Sequence, residues 1–186
     1  MTTAKCGKIS APFATGCFGG SRFGLKTIVG RLITVCGIKP IGSWQWLFKA
    51  FWLYGAVEPA TGKAFFLQFS HVDTVCYQRF RDELSKAYPD SINIVQVDNG
   101  QFHKGGDLIV PENIVLLFQT PYCPELNPME RLWEHLKADL KWASFETLYQ
   151  LQTKVDQLLN ALIAPVIASI TGYPFILDAL SALNAV

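Results

Sequence analysis

The sequence predicts an α/β domain with a mixed β-sheet and helices on its faces. Short apolar runs rich in aromatic and branched residues are followed by longer stretches in which apolar residues recur at helical spacing. Proline and glycine separate these runs where turns are expected. The resulting order along the chain is hairpin, helix, strand, strand, helix, helix, and this order indicates the fold class.

The composition is that of a folded domain, and the charge leaves its partners open. The chain has 186 residues, of which 50% are apolar and 13% aromatic, enough for one domain with a substantial core. The net charge of +1 neither indicates nor excludes a nucleic-acid partner. Five scattered cysteines, with no CxxC and no zinc-type spacing to the histidines, are typical of reduced thiols in a cytoplasmic protein. No apolar segment is long enough for a membrane span, and no secretory signal is recognisable.

The N-terminal part is predicted to begin irregularly and then to form a hairpin. Residues 1–20 lack a periodic pattern and are expected to be irregular, and residues 22–36 favour extended chain. The apolar run 51–57, the turn residues 58–63 and the returning run 64–69 are typical of an antiparallel hairpin.

A helix and two strands are predicted to follow the hairpin. Apolar residues at helical spacing predict a helix over residues 73–88, whose first two residues are both suitable N-caps. Strands are predicted over residues 92–97 and 114–118. The first of these strands leads directly to Asp98.

The C-terminal third is predicted to be helical. Asn127 can cap a helix, Pro128 suits its first position, and Glu130 occupies the capping-box position. The apolar residues of this helix form one stripe, made of Met129, Leu132, Trp133, Leu136 and Leu140. A second helix is predicted over residues 145–163 and a short one over residues 175–183.

Two carboxylates stand where they can share one divalent cation. Asp98 follows an apolar strand, and Glu130 lies in the first turn of a helix. Three prolines between positions 121 and 128 fix the approach to that helix, as a metal-binding carboxylate requires. A hard cation held by carboxylate oxygens drives phosphodiester chemistry, so this pair is the candidate catalytic and metal site. The polar face of the helix carries Asn127, Glu130, Arg131 and Glu134.

Each of these residues also has a structural interpretation that the sequence leaves open. The triplet Asp98-Asn99-Gly100 consists of turn formers and can mark only a tight turn. A capping-box Glu130 needs no catalytic role. His103 is either a surface loop residue or a partner of a metal-bound water.

Two longer motifs resemble those of a known enzyme family. They are Asp98-Asn99-x-x-x-His103 and Pro121-Tyr122-x-Pro124-Glu125-Leu126-Asn127-Pro128-x-Glu130-Arg131-x-Trp133-x-x-Leu136-Lys137. With Ser21-Arg22-Phe23-Gly24-Leu25, they resemble the catalytic domain of the bacterial insertion-sequence branch of the Tc/mariner transposases. The resemblance covers residues 21–186, and residues 1–20 are expected to be an irregular, non-native segment. It implies a ribonuclease-H-like mixed β-sheet with helices on both faces and a D-D-E triad that holds two Mg²⁺ or Mn²⁺ ions.

The resemblance fills two positions of the triad and leaves the first one without a carboxylate. Asp98 matches the second member and Glu130 the third, so both are expected to be catalytic and to bind metal. Counting back from Arg22 places Gly19 and Gly20 where the family has an Asp-Glu pair, whose first member is a metal ligand. Cys123 stands where the family usually has Ser. Candidates for supporting these groups or contacting DNA are Asn99, His103, Asn127 and Arg131.

These features predict a transposase catalytic domain that cleaves and joins DNA by two-metal chemistry but is truncated and impaired. We expect little or no activity from this chain, and no helix-turn-helix region of the kind that precedes this domain in the family. The alternative is a non-catalytic remnant that pairs with or inhibits a full-length transposase. The expected partners are transposon ends and target DNA, with assembly as a homodimer or with a full-length transposase. The expected location is the cytoplasm, on the nucleoid and away from membranes.

Overall fold

The computed structural model describes residues 5–6, 15–31, 33–39, 41–97, 109–120 and 123–183. The strands in these ranges are β1 (Lys5–Cys6), β2 (Thr15–Gly24), β3 (Ala50–Val57), β4 (Ala64–Phe69), β5 (Asn93–Val97) and β6 (Ile114–Phe118). The α-helices are α1 (Thr74–Ala87), α2 (Met129–Ala138), α3 (Leu148–Ala161), α4 (Ala164–Thr171) and α5 (Pro174–Leu183). None of the helices in the described ranges combines the length and the apolar character needed to cross a bilayer.

The strands form one mixed sheet in the order β1-β4-β3-β2-β5-β6. β3 and β4 are the predicted antiparallel hairpin, and β2 pairs antiparallel with β3. β5 pairs parallel with both β2 and β6. The predicted mixed sheet is therefore confirmed, and the strand that precedes Asp98 lies beside β2, the neighbour of β3.

β2 lies at the centre of the sheet and corrects the prediction for the N-terminus. The sequence predicts an irregular segment over residues 1–20, whereas Thr15–Gly20 is the first part of β2 and Lys5–Cys6 pairs with β4. Residues 15–19 are all buried. A strand covered on both faces is recognised by a continuous apolar run, and here three of the six residues 15–20 are glycine, so the sequence lacks that pattern.

Two apolar clusters, one on each face of the sheet, hold the helices. α1 packs on one face, where the rings of Phe18, Tyr54 and Phe80 lie 5.0 to 5.9 Å apart between centroids. α2 packs on the opposite face together with α3 and α4. The predicted stripe of α2 is confirmed, since each of its residues is at most 2% exposed: Met129, Leu132, Trp133, Leu136 and Leu140.

Helix boundaries follow local capping chemistry. Asp73, one of the two N-caps that the sequence allows, caps α1 by accepting a 2.6 Å hydrogen bond from a first-turn N–H. Thr147 caps α3 by accepting a 3.2 Å bond from the Gln150 N–H. The helix predicted over residues 145–163 is consequently shorter, and Pro165 opens the separate helix α4.

Candidate metal centre

Asn127 fixes the start of α2 against the centre of the sheet. Its buried side chain donates to the Phe18 carbonyl of β2 at 2.9 Å and accepts from the Met129 N–H at 3.1 Å. α2 begins at Met129 with Pro128 at the N-cap position, one residue later than the sequence predicts. Asn127 thus pairs an N–H of the first turn and a strand carbonyl at once, which holds that turn beside β2.

A pair of glutamines joins the carboxyl end of β5 to the approach to α2. The Gln96 side chain donates to the Leu126 carbonyl and to Gln119 Oε1, both at 3.1 Å. The Gln119 backbone N–H donates to the Val97 carbonyl at 2.8 Å. Val97, at the end of β5, and Leu126, just before Asn127, are therefore connected through the hydrogen bonds of these two glutamines.

The described residues contain only part of the predicted site. Asp98, Asn99 and His103 lie outside them. The convergence of Asp98 and Glu130 on one cation therefore stays a prediction.

Glu130 is exposed and borders an open groove of about 530 Å³. The groove is lined by Glu125, Asn127, Pro128, Glu130, Arg131, Glu134, Tyr173 and Phe175. The polar face of α2 predicted from the sequence thus contributes to a single surface. Three carboxylates and one guanidinium line it, so the groove favours a cation over an anion.

An aromatic wall from the C-terminal helices borders one side of this groove. The Arg131 guanidinium lies 5.0 Å from the centroid of the Tyr173 ring, and the Phe175 ring stacks on Tyr173 at 5.7 Å. The cation–π contact holds Arg131 at this wall. Sequence reasoning missed both aromatic residues because Gly172-Tyr173-Pro174 signals only a break between helices.

Lys137, two turns beyond Glu130, places a half-buried cation on the same helix. Burial lowers the pKa of Lys137, and attraction to the Glu130 carboxylate opposes that shift. The Lys137 ammonium also lies 5.5 Å from the centroid of the Phe23 ring. The charge of Glu130 is therefore already coupled to one positive group of its own chain.

Gly19 and Gly55, opposite one another in β2 and β3, form the floor beneath α2. A Cβ atom added to Gly19 would lie 2.8 Å from the Met129 Cβ and 3.1 Å from the Trp133 indole nitrogen. A Cβ atom added to Gly55 would lie 2.7 Å from the Phe66 ring of β4 and 2.9 Å from the Met129 Cε. The close approach of α2 to the sheet thus depends on Gly19, and Gly55 leaves room for the Phe66 ring and the end of the Met129 side chain.

The packing of Met129 leaves no room for a carboxylate at position 19, although the polar Trp133 indole N–H lies beside this position. An aspartate there would overlap the Met129 side chain. The Trp133 indole N–H is buried and has no hydrogen-bond partner among the described residues. An acceptor beside this N–H is the group that an acidic residue at position 19 would supply.

A strip of exposed aromatic side chains lies on the segment before β3. Trp44, Trp46 and Phe48, the aromatic strip, are 50%, 56% and 65% exposed, with successive ring centroids 5.7 and 5.6 Å apart. The Lys26 ammonium lies 4.2 Å from the centroid of the Trp46 ring. Every charged residue between positions 15 and 57 is basic: Arg22, Lys26, Arg31, Lys39 and Lys49. Exposed aromatic and basic side chains on one segment are typical of nucleic-acid contact. The aromatic residues at every second position from 44 to 48 are the sequence signal that could have indicated this surface.

Comparison with known proteins gives one family and one curated relative. The sequence matches the model of a family described as DDE superfamily endonuclease over residues 34–152. The chain is 34% identical over 87 residues to the uncharacterized protein y4pE/y4sA of Sinorhizobium fredii (strain NBRC 101917 / NGR234). The aligned part is 46% of this chain and 64% of that protein.

The fold resembles solved structures of Mos1 transposase complexes. The paired-end complex with the left transposon end matches with a TM-score of 0.67 at 13% identity, over 90% of this chain and 53% of that one. The paired-end complex with Mn gives 0.68 at 14% identity, with the same shares of 90% and 53%. The strand transfer complex gives 0.69 at 13% identity, over 90% and 52%. The chain spans about half the length of these structures, and the likeness confirms the predicted ribonuclease-H-like fold.

Proposed function

Because this chain belongs to the DDE superfamily endonuclease family, we propose that it is the catalytic domain of an insertion-sequence transposase of the Tc/mariner type. Such a domain cleaves and joins DNA by phosphodiester chemistry with two divalent ions. The observation that carries the proposal is the hydrogen bond from Gln96 to Leu126. It ties the strand that leads to Asp98 to the turn that precedes the helix bearing Glu130.

Each residue of the proposed centre has a defined task. Glu130 offers carboxylate oxygens at the groove, and Asp98 is the other proposed ligand. Asn127 and Gln96 hold the helix and the strand in a fixed relation, so little order has to be gained when an ion binds. Arg131 offers a guanidinium suited to a DNA phosphate. A bound Mg²⁺ or Mn²⁺ would lower the pKa of an attacking water or 3′-hydroxyl and stabilise the leaving oxygen.

The residues present fit one ion at α2 and do not fit a second ion at position 19. Hard oxygen ligands in an acidic groove suit Mg²⁺ or Mn²⁺ at Glu130. Gly19 supplies no oxygen ligand, and the space above it is filled by Met129. Loss of one key charge-stabilising group costs about 3–4 kcal/mol, or a factor of ~10²–10³ in rate. We therefore propose that the chain is impaired as a nuclease.

DNA is the proposed partner, at transposon ends and at the target. The related Mos1 structures are described as complexes with a transposon end and as a strand transfer complex. The aromatic strip and the basic residues beside it offer this chain a surface of suitable chemistry for the same partner. Assembly as a homodimer or with a full-length transposase belongs to the same proposal.

A second candidate function is a non-catalytic partner that inhibits a full-length transposase. The packing of Met129 against Gly19 and Gly55 favours it, because the domain is well packed where the first metal ligand is expected. Such a chain would keep the fold and its DNA surface without the chemistry. Dose-dependent inhibition of transposition by the co-expressed chain, without nicking by the chain alone, would favour this candidate.

The test combines nicking of supercoiled DNA with Mn²⁺ binding by the purified chain. We expect little or no nicking in Mg²⁺ or Mn²⁺, and weak Mn²⁺ binding that Asp98→Asn and Glu130→Gln both remove. Glu134→Gln, one turn away in the same groove, is the matched control and should bind Mn²⁺ like the parent.

The outcomes separate the parts of the proposal. Robust nicking that Asp98→Ala abolishes would show an intact enzyme and contradict the impairment. Equal losses of Mn²⁺ binding in Glu130→Gln and Glu134→Gln would show that the groove attracts ions only through its overall charge.

A further inference from the structure

A second group of metal-binding side chains lies at the start of α1. His71, Asp73 and Cys76 place their ligand atoms within 4.8 Å of one another. His71 Nε2 is 2.9 Å from Asp73 Oδ2 and 3.7 Å from Cys76 Sγ. α1 packs on the face of the sheet opposite α2, so this cluster is separate from the groove at Glu130.

The donor atoms and their spacing suit zinc. An imidazole nitrogen, a carboxylate oxygen and a thiolate are all common zinc ligands, at bond lengths of about 2.0–2.3 Å in a tetrahedral arrangement. Ligand atoms around one such ion lie roughly 3.3–3.6 Å apart. The separation of His71 Nε2 and Cys76 Sγ is already close to this range. The distance from His71 to Asp73 has to widen by only about 0.4 Å to reach it.

The two oxygens of the Asp73 carboxylate have different partners, so one is engaged in the helix cap and the other is available to an ion. Oδ1 accepts the hydrogen bond from the Cys76 N–H at 2.6 Å, which caps α1. Oδ2 points to the His71 ring instead. A metal ion between Oδ2 and Nε2 therefore leaves the helix cap in place.

The imidazole has a support on its other nitrogen. Ser70 Oγ lies 2.8 Å from His71 Nδ1. A hydroxyl accepts as well as donates, so Ser70 can hold the tautomer with a proton on Nδ1, which leaves Nε2 for a metal. Partners of this kind orient histidine ligands in metal sites.

The cluster is open to solvent on one side and buried on the other. The His71 and Asp73 side chains are 63% and 40% exposed, whereas Cys76 is 7% exposed beneath them. An ion can enter from solvent, meet the thiol at the base and keep a water on the open side. A carboxylate and a thiolate together also match the charge of a divalent ion.

We propose that His71, Asp73 and Cys76 form a zinc site, with water as the fourth ligand, that fastens the turn between β4 and α1. The sequence predicts no zinc spacing between cysteines and histidines. The fold brings His71 and Cys76 together because Asp73 starts a helix between them and the first turn carries Cys76 back towards the imidazole. This site is independent of the proposed nuclease function.

The experiment uses the full chain, freed of metal with a chelator and kept reduced. Zn²⁺ binding is measured by calorimetry, and Co²⁺ is added as a spectroscopic probe of tetrahedral thiolate coordination. We expect one ion per chain and a thiolate-to-Co²⁺ charge-transfer band. His71→Ala, Asp73→Asn and Cys76→Ser should each weaken Zn²⁺ at least about tenfold, the lower end of the loss seen even for outer groups of a metal site.

Matched variants separate ligation from folding. Asp73→Asn keeps an N-cap side chain, so its helix content should equal that of the parent while its Zn²⁺ affinity falls. Cys36→Ser removes an exposed cysteine elsewhere and should leave Zn²⁺ binding unchanged. Absence of the charge-transfer band in the folded parent, or full Zn²⁺ affinity in Cys76→Ser, would overturn the proposal.

Discussion

Gly19 lies directly opposite Gly55 in the β2–β3 ladder, and Met129 fills the space above both glycines. The distance between α2 and the sheet is therefore set where the resemblance leads us to expect an aspartate. Restoring the missing carboxylate consequently requires a change in the helix as well as in the strand.

Gly19→Asp alone should destabilise the chain without creating a metal site. The new side chain overlaps Met129, and overpacking of this kind costs about 1–3 kcal/mol. Urea denaturation gives the free energy of unfolding. A Gly19→Asp variant as stable as the parent would show that the packing above Gly19 is looser than described.

The double variant Gly19→Asp with Met129→Gly should gain stability from Mg²⁺ or Mn²⁺, and Met129→Gly alone should not. Glycine at position 129 removes the Cβ atom that crowds position 19 and leaves room for the carboxylate, and a ligand that binds only the folded state adds about 2.7 kcal/mol at 100 times its Kd. Denaturation with and without metal measures this difference. If the double variant folds but ignores the ion, the assignment of position 19 to the first carboxylate is wrong.

Asn127→Ala should lower the free energy of unfolding by about 1–3 kcal/mol, because the Phe18 carbonyl and the Met129 N–H lose a buried partner. Urea denaturation measures the change. Asn160→Ala, at an exposed position of α3, is the control and should stay within about 0.5 kcal/mol of the parent. Similar effects of the two substitutions would contradict the anchoring role of Asn127.

Cys36 should react with an alkylating reagent much faster than Cys17 in the folded protein. Burial raises the pKa of Cys17 to about 12, so this thiol stays protonated at mildly alkaline pH, whereas Cys36 is exposed. Brief alkylation followed by peptide mass spectrometry should label Cys36 and spare Cys17, and urea should make both reactive. Equal labelling in the native protein would contradict the burial of β2.

The same shift predicts the direction of the pH dependence of stability. The folded-state pKa of Cys17 lies above its ordinary value, so its contribution is complete below the ordinary thiol pKa and is lost as the pH rises towards about 12. Urea midpoints measured across the alkaline range should therefore fall. A midpoint that rises over this range would contradict the prediction.

Lys26→Ala and Trp46→Ala should weaken DNA binding in different ways. Loss of one phosphate contact at Lys26 should reduce the slope of log affinity against log salt by about 0.9 on duplex DNA. Loss of the Trp46 ring should cost about 1–3 kcal/mol on single-stranded DNA, where a base can stack. Fluorescence anisotropy at several salt concentrations measures both effects. Lys86→Ala, on α1 and paired with Glu83, is the control, and an equal effect there would assign the binding to net charge.

The sequence predicts the fold best where an element has helical periodicity or where two apolar runs flank a clear turn. The α2 stripe is of the first kind and the β3–β4 hairpin of the second, and both are confirmed. The start of β2 was missed because three of residues 15–20 are glycine, so this segment has neither the alternation of a half-buried strand nor the continuous apolar run of a buried one. The wall at Tyr173 was missed because contacts between α2 and the C-terminal helices depend on packing that no local pattern encodes. The pairing of Asp98 with Glu130 stays a prediction.

The hydrogen bond of Asn127 to the Phe18 carbonyl joins two residues that are synthesised at well-separated times. Its partner Phe18 was synthesised 109 positions earlier. At roughly 5–20 residues per second, that contact can form no earlier than about 5–20 s after the central strand has been made. Contacts of such high sequence separation slow folding, because loop closure has to be completed before they stabilise the chain. We therefore expect a product that ends ahead of Asn127 to leave the face beneath α2 uncovered and to aggregate.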